Sequence, residues 1–414
     1  MIGRAAQVAC GGIPGLAYLT LSRDILMEPA AAARLRRTAG FARPVAPAAP
    51  EAAIDDLAAQ LARAERPLLL TSRSGRVPGA PAALRRLAEL AAIPVFGRAE
   101  AVNLVTTSPM SVRSARQGAD LLRAADLVLI VDTDVPWIPR NIQPSPDAVI
   151  VQIDRDPVKA DMPLWTFPVG LSLTAEPALA LHQLADALER RHSDESGRWS
   201  RRRDELAPAI AQATNSVRAA AAAPGVAPTD IRAVFTAINE AIDGSCLIVD
   251  EAVSNTGRMS ELIDRPEAET MFSAGGPGLG WAPGASVGIK LARPDRDVLV
   301  VIGDGAFMFG VPTAALTLAN EARAPVVMLV LNNSGYRASR LPVGALYPEG
   351  SAVAADHPVW TRFRRAPDFA ALAAACGAYS WRTEGAEGLG DALADAFAAT
   401  RDGVSAIIDV RVDQ

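Results

Sequence analysis

The sequence predicts an α/β protein with two doubly wound parallel sheets, one in each half of the chain. Three observations lead there. Helically spaced apolar residues alternate with short apolar runs through residues 51–190, and the same alternation returns through 229–414. A charged, then Ala/Pro-rich stretch over 191–228 separates the two. A chain of 414 residues has room for two or three such units. Half of its residues are hydrophobic and 21% are charged, which excludes a disordered or collagen-like chain. The net charge of −5 argues against a nucleic-acid binder that works by blanket phosphate neutralisation.

In the first unit, residues 52–63 carry Ala and Leu at helical spacing, and 67–71 form a short apolar strand. Helix 84–92 then leads to strand 94–96, helix 121–125 to strand 127–132, and 148–154 supplies another strand. No G-x-G-x-x-G follows any of these strands, so a dinucleotide fingerprint is absent. In the second unit, Thr229 is placed to cap a helix reaching 241. Strands follow at 246–250, 298–302, 326–331 and 405–412, with helices at 311–322, 369–377 and 389–400. Residues 39–50, with Pro44, Pro47 and Pro50, suit an extended linker. The charged cluster around 190–205 reads as a solvated helix, in preference to an anion-binding patch. Cys10, Cys246 and Cys376 are odd in number and far apart, which argues against a disulfide framework or a cysteine metal site. No apolar run approaches the ~18 residues of a membrane span, so no membrane association and a cytoplasmic location are expected.

Ligands of doubly wound folds bind outside the carboxyl ends of the strands, which directs attention to the loops after Asp250, Ile302 and Leu331. Gly303-Asp304-Gly305 follows one strand, and Asn332-Asn333 ends the next. Taken singly, each is as readily an ordinary strand-to-helix turn or strand end. Jointly, they bring a carboxylate, an amide and a nearby carbonyl to one sheet edge, a hard-oxygen set suited to Mg²⁺.

This pairing resembles the cofactor motif of thiamine-diphosphate-dependent enzymes of the acetolactate synthase and benzoylformate decarboxylase group. The likeness extends to residues 250–256, to the glycine-rich run 275–281 and to Asn333-Ser334-Gly335-Tyr336. In the first unit it includes Ala124-Ala125-Asp126 and residues 151–157, which are similar to the central domain of those enzymes. The resemblance implies thiamine diphosphate and Mg²⁺ as cofactors. Asp304 and Asn333 would ligate the ion by side chain and Gly335 by its carbonyl, with Gly303 and Gly305 flanking the carboxylate. Ala306 would offer its N–H to phosphate, and Ser254 and Asn255 would contact the diphosphate or thiazolium region. Leu279, beside Gly278, would hold the cofactor bent; the alternative is a core leucine next to a glycine turn. Tyr336 would lie against the cofactor, and Asn332 would serve as a buried hydrogen-bonding residue. Arg337, Arg340 and Tyr347 would face a small 2-oxo acid substrate, although arginines are equally ordinary on the surface of so arginine-rich a chain. His357 and Trp360 could line the entrance, or simply be exposed. No residue set indicates FAD.

By the same likeness, residues 1–28 would be the closing edge of a pyrimidine-binding domain, its last helix and strand. Residues 29–50 would be a linker, 51–190 the central domain, 191–228 a helical linking segment and 229–414 the diphosphate-binding domain. No carboxylate of the chain maps onto the glutamate that activates the aminopyrimidine in this family, and Glu251 belongs to the diphosphate domain. A separate small subunit would then supply that glutamate, giving a hetero-oligomer such as a heterotetramer that decarboxylates or ligates 2-oxo acids. The alternative is a truncated, inactive cofactor-binding or decoy protein.

Overall fold

The structure, a computed structural model, describes residues 2–13, 15–29, 45–97, 101–276, 278–354 and 361–413. Residues 30–44 of the expected linker, Pro277, and the stretch holding His357 and Trp360 lie outside them.

The first sheet contains β1 (Pro67–Thr71), β2 (Val95–Gly97), β3 (Ser111–Val112), β4 (Leu127–Val131), β5 (Val149–Asp154) and β6 (Leu171–Thr174). Its order is β3-β2-β1-β4-β5-β6, and every pairing is parallel. The second contains β7 (Leu247–Glu251), β8 (Met271–Ser273), β9 (Val298–Gly303), β10 (Val327–Asn332), β11 (Tyr379–Glu384) and β12 (Ala406–Arg411), also all parallel. Their order, β11-β12-β10-β9-β7-β8, places the topological switch between β7 and β9. Central strands such as β1, β4, β9 and β10 read as continuous apolar runs because helices cover both faces of the sheet. The four strands that periodicity did not predict (β3, β6, β8 and β11) are very short or form an edge. β11, for instance, carries Arg382 and Glu384 and is largely open to solvent.

Helix Glu51–Arg63 shows the local logic. Its buried residues Ile54, Leu57, Ala58, Leu61 and Ala62 fall on one face, at helical spacing. One expectation is corrected at the start of the second unit. Asp230, not Thr229, caps helix Ile231–Ala241, accepting the Arg232 N–H at 2.8 Å, because the helix begins a residue later than its pattern suggests. The charged cluster is largely exposed, as expected, and spans the end of helix Pro177–Arg191, a short turn and the start of helix Ser196–Ala221. The exception is Arg202, which is buried and donates to the carbonyls of Ala64, Ala91 and Ala92. Burial pulls the Arg202 pKa down to about 10.

The two units are stitched together by residues 101–106. Val102 bridges antiparallel to Phe272, and the buried Asn103 side chain accepts the Thr270 and Met271 N–H groups at 2.8 and 2.7 Å. At the amino end, helix Ile2–Cys10 buries none of its residues, and residues 15–22 form no strand. A strand needs a neighbour for its N–H and C=O groups, and none lies beside this segment among the described residues. No helix of the described residues is long and apolar enough to cross a membrane.

Candidate active site at the carboxyl edge of the second sheet

The parallel register pairs Leu331 of β10 with Gly303 of β9, so Asp304 and Asn332 leave the sheet side by side. Asp304 is 2% exposed and opens helix Asp304–Phe309. Its Oδ1 accepts the Gly305 N–H at 2.8 Å, and its Oδ2 accepts the Gly335 N–H at 3.0 Å. Burial pushes its pKa up to about 6, against the pull of those amides and that of Ser334. No cationic side chain of the described residues pairs with this carboxylate; its neighbours are backbone dipoles.

Glycine is required at two places here. A Cβ on Gly335 would stand 2.2 Å from the Thr361 carbonyl oxygen, and one on Gly305 would enter the Tyr336 ring at 2.5 Å. Tyr336 in turn packs edge-on against Phe309 and Phe363, which fixes the loop behind Asp304. Asn332 is buried and donates to Asp409 at 2.9 Å, while its Oδ1 accepts the Ser334 N–H at 3.1 Å. It therefore holds the turn in which Ser334 takes a left-handed φ of 57°. Asn333, half-buried, follows directly and makes no hydrogen bond within the described residues. Ala306 is the third residue of its helix, so its N–H is among those without an intrahelical acceptor.

The other two loops converge on the same edge. Asn255 is buried and Ser254 exposed, on a short turn after β7 that Asp250 organises. Asp250 accepts the Ala252 N–H at 2.8 Å and the Thr256 hydroxyl at 3.1 Å, and burial raises its pKa to about 6. Gly278 faces open space, and Leu279 is 41% exposed, so the core-leucine alternative does not describe it. Sequence reasoning gave no role to Glu251, yet it holds this loop. Its carboxylate accepts the N–H groups of Gly280, Trp281 and Ala282 at 2.5, 3.3 and 2.8 Å.

Arg337 and Arg340 lie on helix Arg337–Leu346, half-buried, and Tyr347 at its end is largely exposed. Burial lowers the Arg340 pKa, with Arg362 and Arg337 adding to the effect, so these three guanidinium groups share one field.

The donor set fits a magnesium-bridged diphosphate. Among the described residues the buried Asp304 carboxylate has no cationic partner, the Gly335 loop is drawn onto it, and Asn333, two residues before that glycine, carries an uncommitted amide. The described residues contain no cluster of three or more His, Cys, Asp or Glu suited to a metal. A site of this kind needs only one carboxylate, since phosphate oxygens and water complete the octahedron.

Residues 253–410 match the family model of the thiamine pyrophosphate enzyme C-terminal TPP-binding domain, and residues 54–184 match that of the central domain. The chain is 24% identical to the acetolactate synthase isozyme 1 large subunit of Escherichia coli, over 86% of this chain and 61% of that protein. It is 28% identical to benzoylformate decarboxylase of Pseudomonas aeruginosa, over 68% of this chain and 48% of that one. It thus spans roughly half to two-thirds of the length of these relatives. The fold superimposes on the thiamine diphosphate-dependent 4-hydroxybenzoylformate decarboxylase of Rhodococcus jostii RHA1 with a TM-score of 0.72 at 22% identity, covering 100% of this chain and 73% of that one.

Proposed function

Since the chain belongs to the thiamine pyrophosphate-dependent enzyme family, we propose that it is the diphosphate-binding subunit of a decarboxylase or carboligase acting on small 2-oxo acids. The observation that carries this reading is the Asp304 carboxylate, buried at the sheet edge and held only by backbone amides. Asp304 and Asn333 would ligate Mg²⁺ by side chain and Gly335 by its carbonyl, while Ala306 would give its N–H to phosphate. Ser254 and Asn255 would border the diphosphate, and Leu279 would support the bend of the cofactor from below. When bound, thiamine diphosphate supplies the carbon nucleophile and the electron sink that 2-oxo acid decarboxylation needs. Arg337 or Arg340 would hold the substrate carboxylate, with Tyr347 closing over it.

The proposal includes a partner. Exposed apolar side chains gather around this edge: Val253, Leu279 and Val311 on the connections, Phe309 at the end of helix Asp304–Phe309, and Leu341 and Leu346 on the helix beyond. The amino-terminal segment adds Ile2, Val8, Leu16, Tyr18, Ile25 and Met27. Exposed apolar surface in this concentration favours association. A separate pyrimidine-domain subunit covering it, in a cytoplasmic hetero-oligomer, would bring the activating glutamate.

The test is carbon dioxide release from pyruvate and benzoylformate by the chain alone and with a separately expressed pyrimidine domain from a relative. Activity only in the mixture is expected. Turnover by this 414-residue chain alone would refute the partner arrangement, and an inert mixture that nonetheless forms a complex would favour the decoy alternative.

A further inference from the structure

Strand β12 carries a carboxylate in an otherwise apolar run. Asp409 follows Ala406, Ile407 and Ile408, lies between β11 and β10 in the second sheet, and is 2% exposed. A carboxylate buried in this way is costly unless donors meet it. The parallel register supplies two. Arg382 of β11 stands directly opposite Asp409 on one side, and Val330 of β10 does so on the other. Asn332, two residues beyond Val330, therefore shares that face of the sheet. Oδ1 of Asp409 accepts the Asn332 Nδ2 at 2.9 Å, and Oδ2 accepts the Arg382 Nε at 3.3 Å.

These bonds set the direction of an amide. An ionised carboxylate only accepts, so the Asn332 NH2 faces Asp409 and the Asn332 Oδ1 faces the other way. There Oδ1 accepts the Ser334 N–H at 3.1 Å and the Ser334 hydroxyl at 3.4 Å, which holds the left-handed turn at Ser334. That turn contains Asn333 and delivers the Gly335 N–H to Asp304 Oδ2 at 3.0 Å.

We propose that Asp409 is a positioning residue for the metal-binding loop: by fixing which way the Asn332 amide faces, it sets the turn that carries Asn333 and Gly335. The proposal rests on the reading of Asp304, Asn333 and Gly335 as magnesium ligands. Asp409→Asn cannot serve both neighbours. Its one carbonyl oxygen accepts from Arg382 or from Asn332, and its NH2 then confronts the other donor. Turning the Asn332 amide over to relieve that clash would bring a second NH2 against the Ser334 N–H.

The test is calorimetric affinity of the full chain for thiamine diphosphate with Mg²⁺. Arg382→Met leaves Asp409 free to orient Asn332 and should bind as the parent does. Asp409→Asn should weaken binding at least about tenfold, the lower end of what residues supporting metal ligands contribute. Adding Arg382→Met to Asp409→Asn removes the competing donor and should restore most of the affinity. Asp409→Leu with Arg382→Met offers Asn332 no acceptor and should not. Asp409 also lies near enough to Asp304 to oppose its ionisation. A role through that charge alone would leave the two double variants equal, since both lack it. The same pair keeps the test open if Asp409→Asn alone does not fold. Unchanged affinity in Asp409→Asn, or equal affinity in the two double variants, would overturn the proposal and leave the reading of the site standing. A parent chain that binds no thiamine diphosphate would instead overturn that reading, and the proposal with it.

Discussion

The two sheets share a doubly wound parallel topology, yet their carboxyl edges are finished in opposite ways. At the first edge the acidic residues are matched by the protein's own cations. Lys159 is buried between Asp134 and Asp154 at 2.9 and 2.8 Å, Arg73 pairs with Asp134, and Arg76 reaches Asp132 at 3.5 Å. Burial disfavours the Lys159 charge, but those two carboxylates outweigh it and hold its pKa above the ordinary lysine value. At the second edge, Asp304 meets only amides and Asp250 only an amide and a hydroxyl. At the first edge cations stand within ion-pair distance of the carboxylates, although burial still outweighs Arg76 and raises the Asp132 pKa, whereas among the described residues none pairs with Asp304 or Asp250 at the second. Fold alone therefore does not locate a site; the unpaired Asp304 carboxylate is what directs the proposal to the second edge.

The largest effect that would sharpen this contrast is expected from Asp304→Ala. It should lower Mg²⁺-dependent affinity for thiamine diphosphate by at least about 100-fold by calorimetry, since even outer-shell losses at metal sites reach that size. Asp132→Asn, at the first edge, should leave that affinity unchanged. Lys159→Met should do the reverse, costing about 3 kcal/mol in urea unfolding by stranding Asp154, with cofactor affinity intact once the protein is folded. A loss of affinity in Lys159→Met would break the comparison.

Gly280→Ala comes next. Gly280 has φ +86°, and a Cβ there would stand 2.5 Å from the Gly310 nitrogen. A loss of about 2 kcal/mol in stability is expected, together with weaker cofactor binding as Leu279 shifts. A neutral result would mean that the two loops are not packed as described.

The smallest effect concerns pH. Asp250 has a folded pKa raised to about 6, so it binds its proton more tightly in the folded chain than in the unfolded one. Its contribution to stability is full below the ordinary carboxylate range and is lost as pH rises through about 6. Asp250→Asn removes this titration, so its stability relative to the parent should improve between pH 5 and pH 8 in cofactor-free unfolding experiments. A difference independent of pH would show that Asp250 does not titrate in that range.

Most of the fold was legible because buried parallel strands announce themselves as apolar runs between helical patterns. The strands that escaped notice are edges whose residues, such as Arg382 and Glu384, face solvent and carry no run. In the site, Asp304, Asn332 and Asn333 were legible from their positions at two strand ends. Glu251 was not, because its role arises from amides some 30 residues away that only the folded loop brings to it. The strand expected in the amino-terminal segment needs a partner sheet, and periodicity cannot report whether one is present.

The central claim is that the second edge, not the first, holds the metal-bridged cofactor. Crystals grown with thiamine diphosphate and Mn²⁺ in place of Mg²⁺ would test it most directly through anomalous scattering. The account predicts one strong peak at coordination distance from Asp304 and the Asn333 side chain. A peak at Asp132 or Asp154 instead, or an ordered cofactor with no ion beside Asp304, would contradict it.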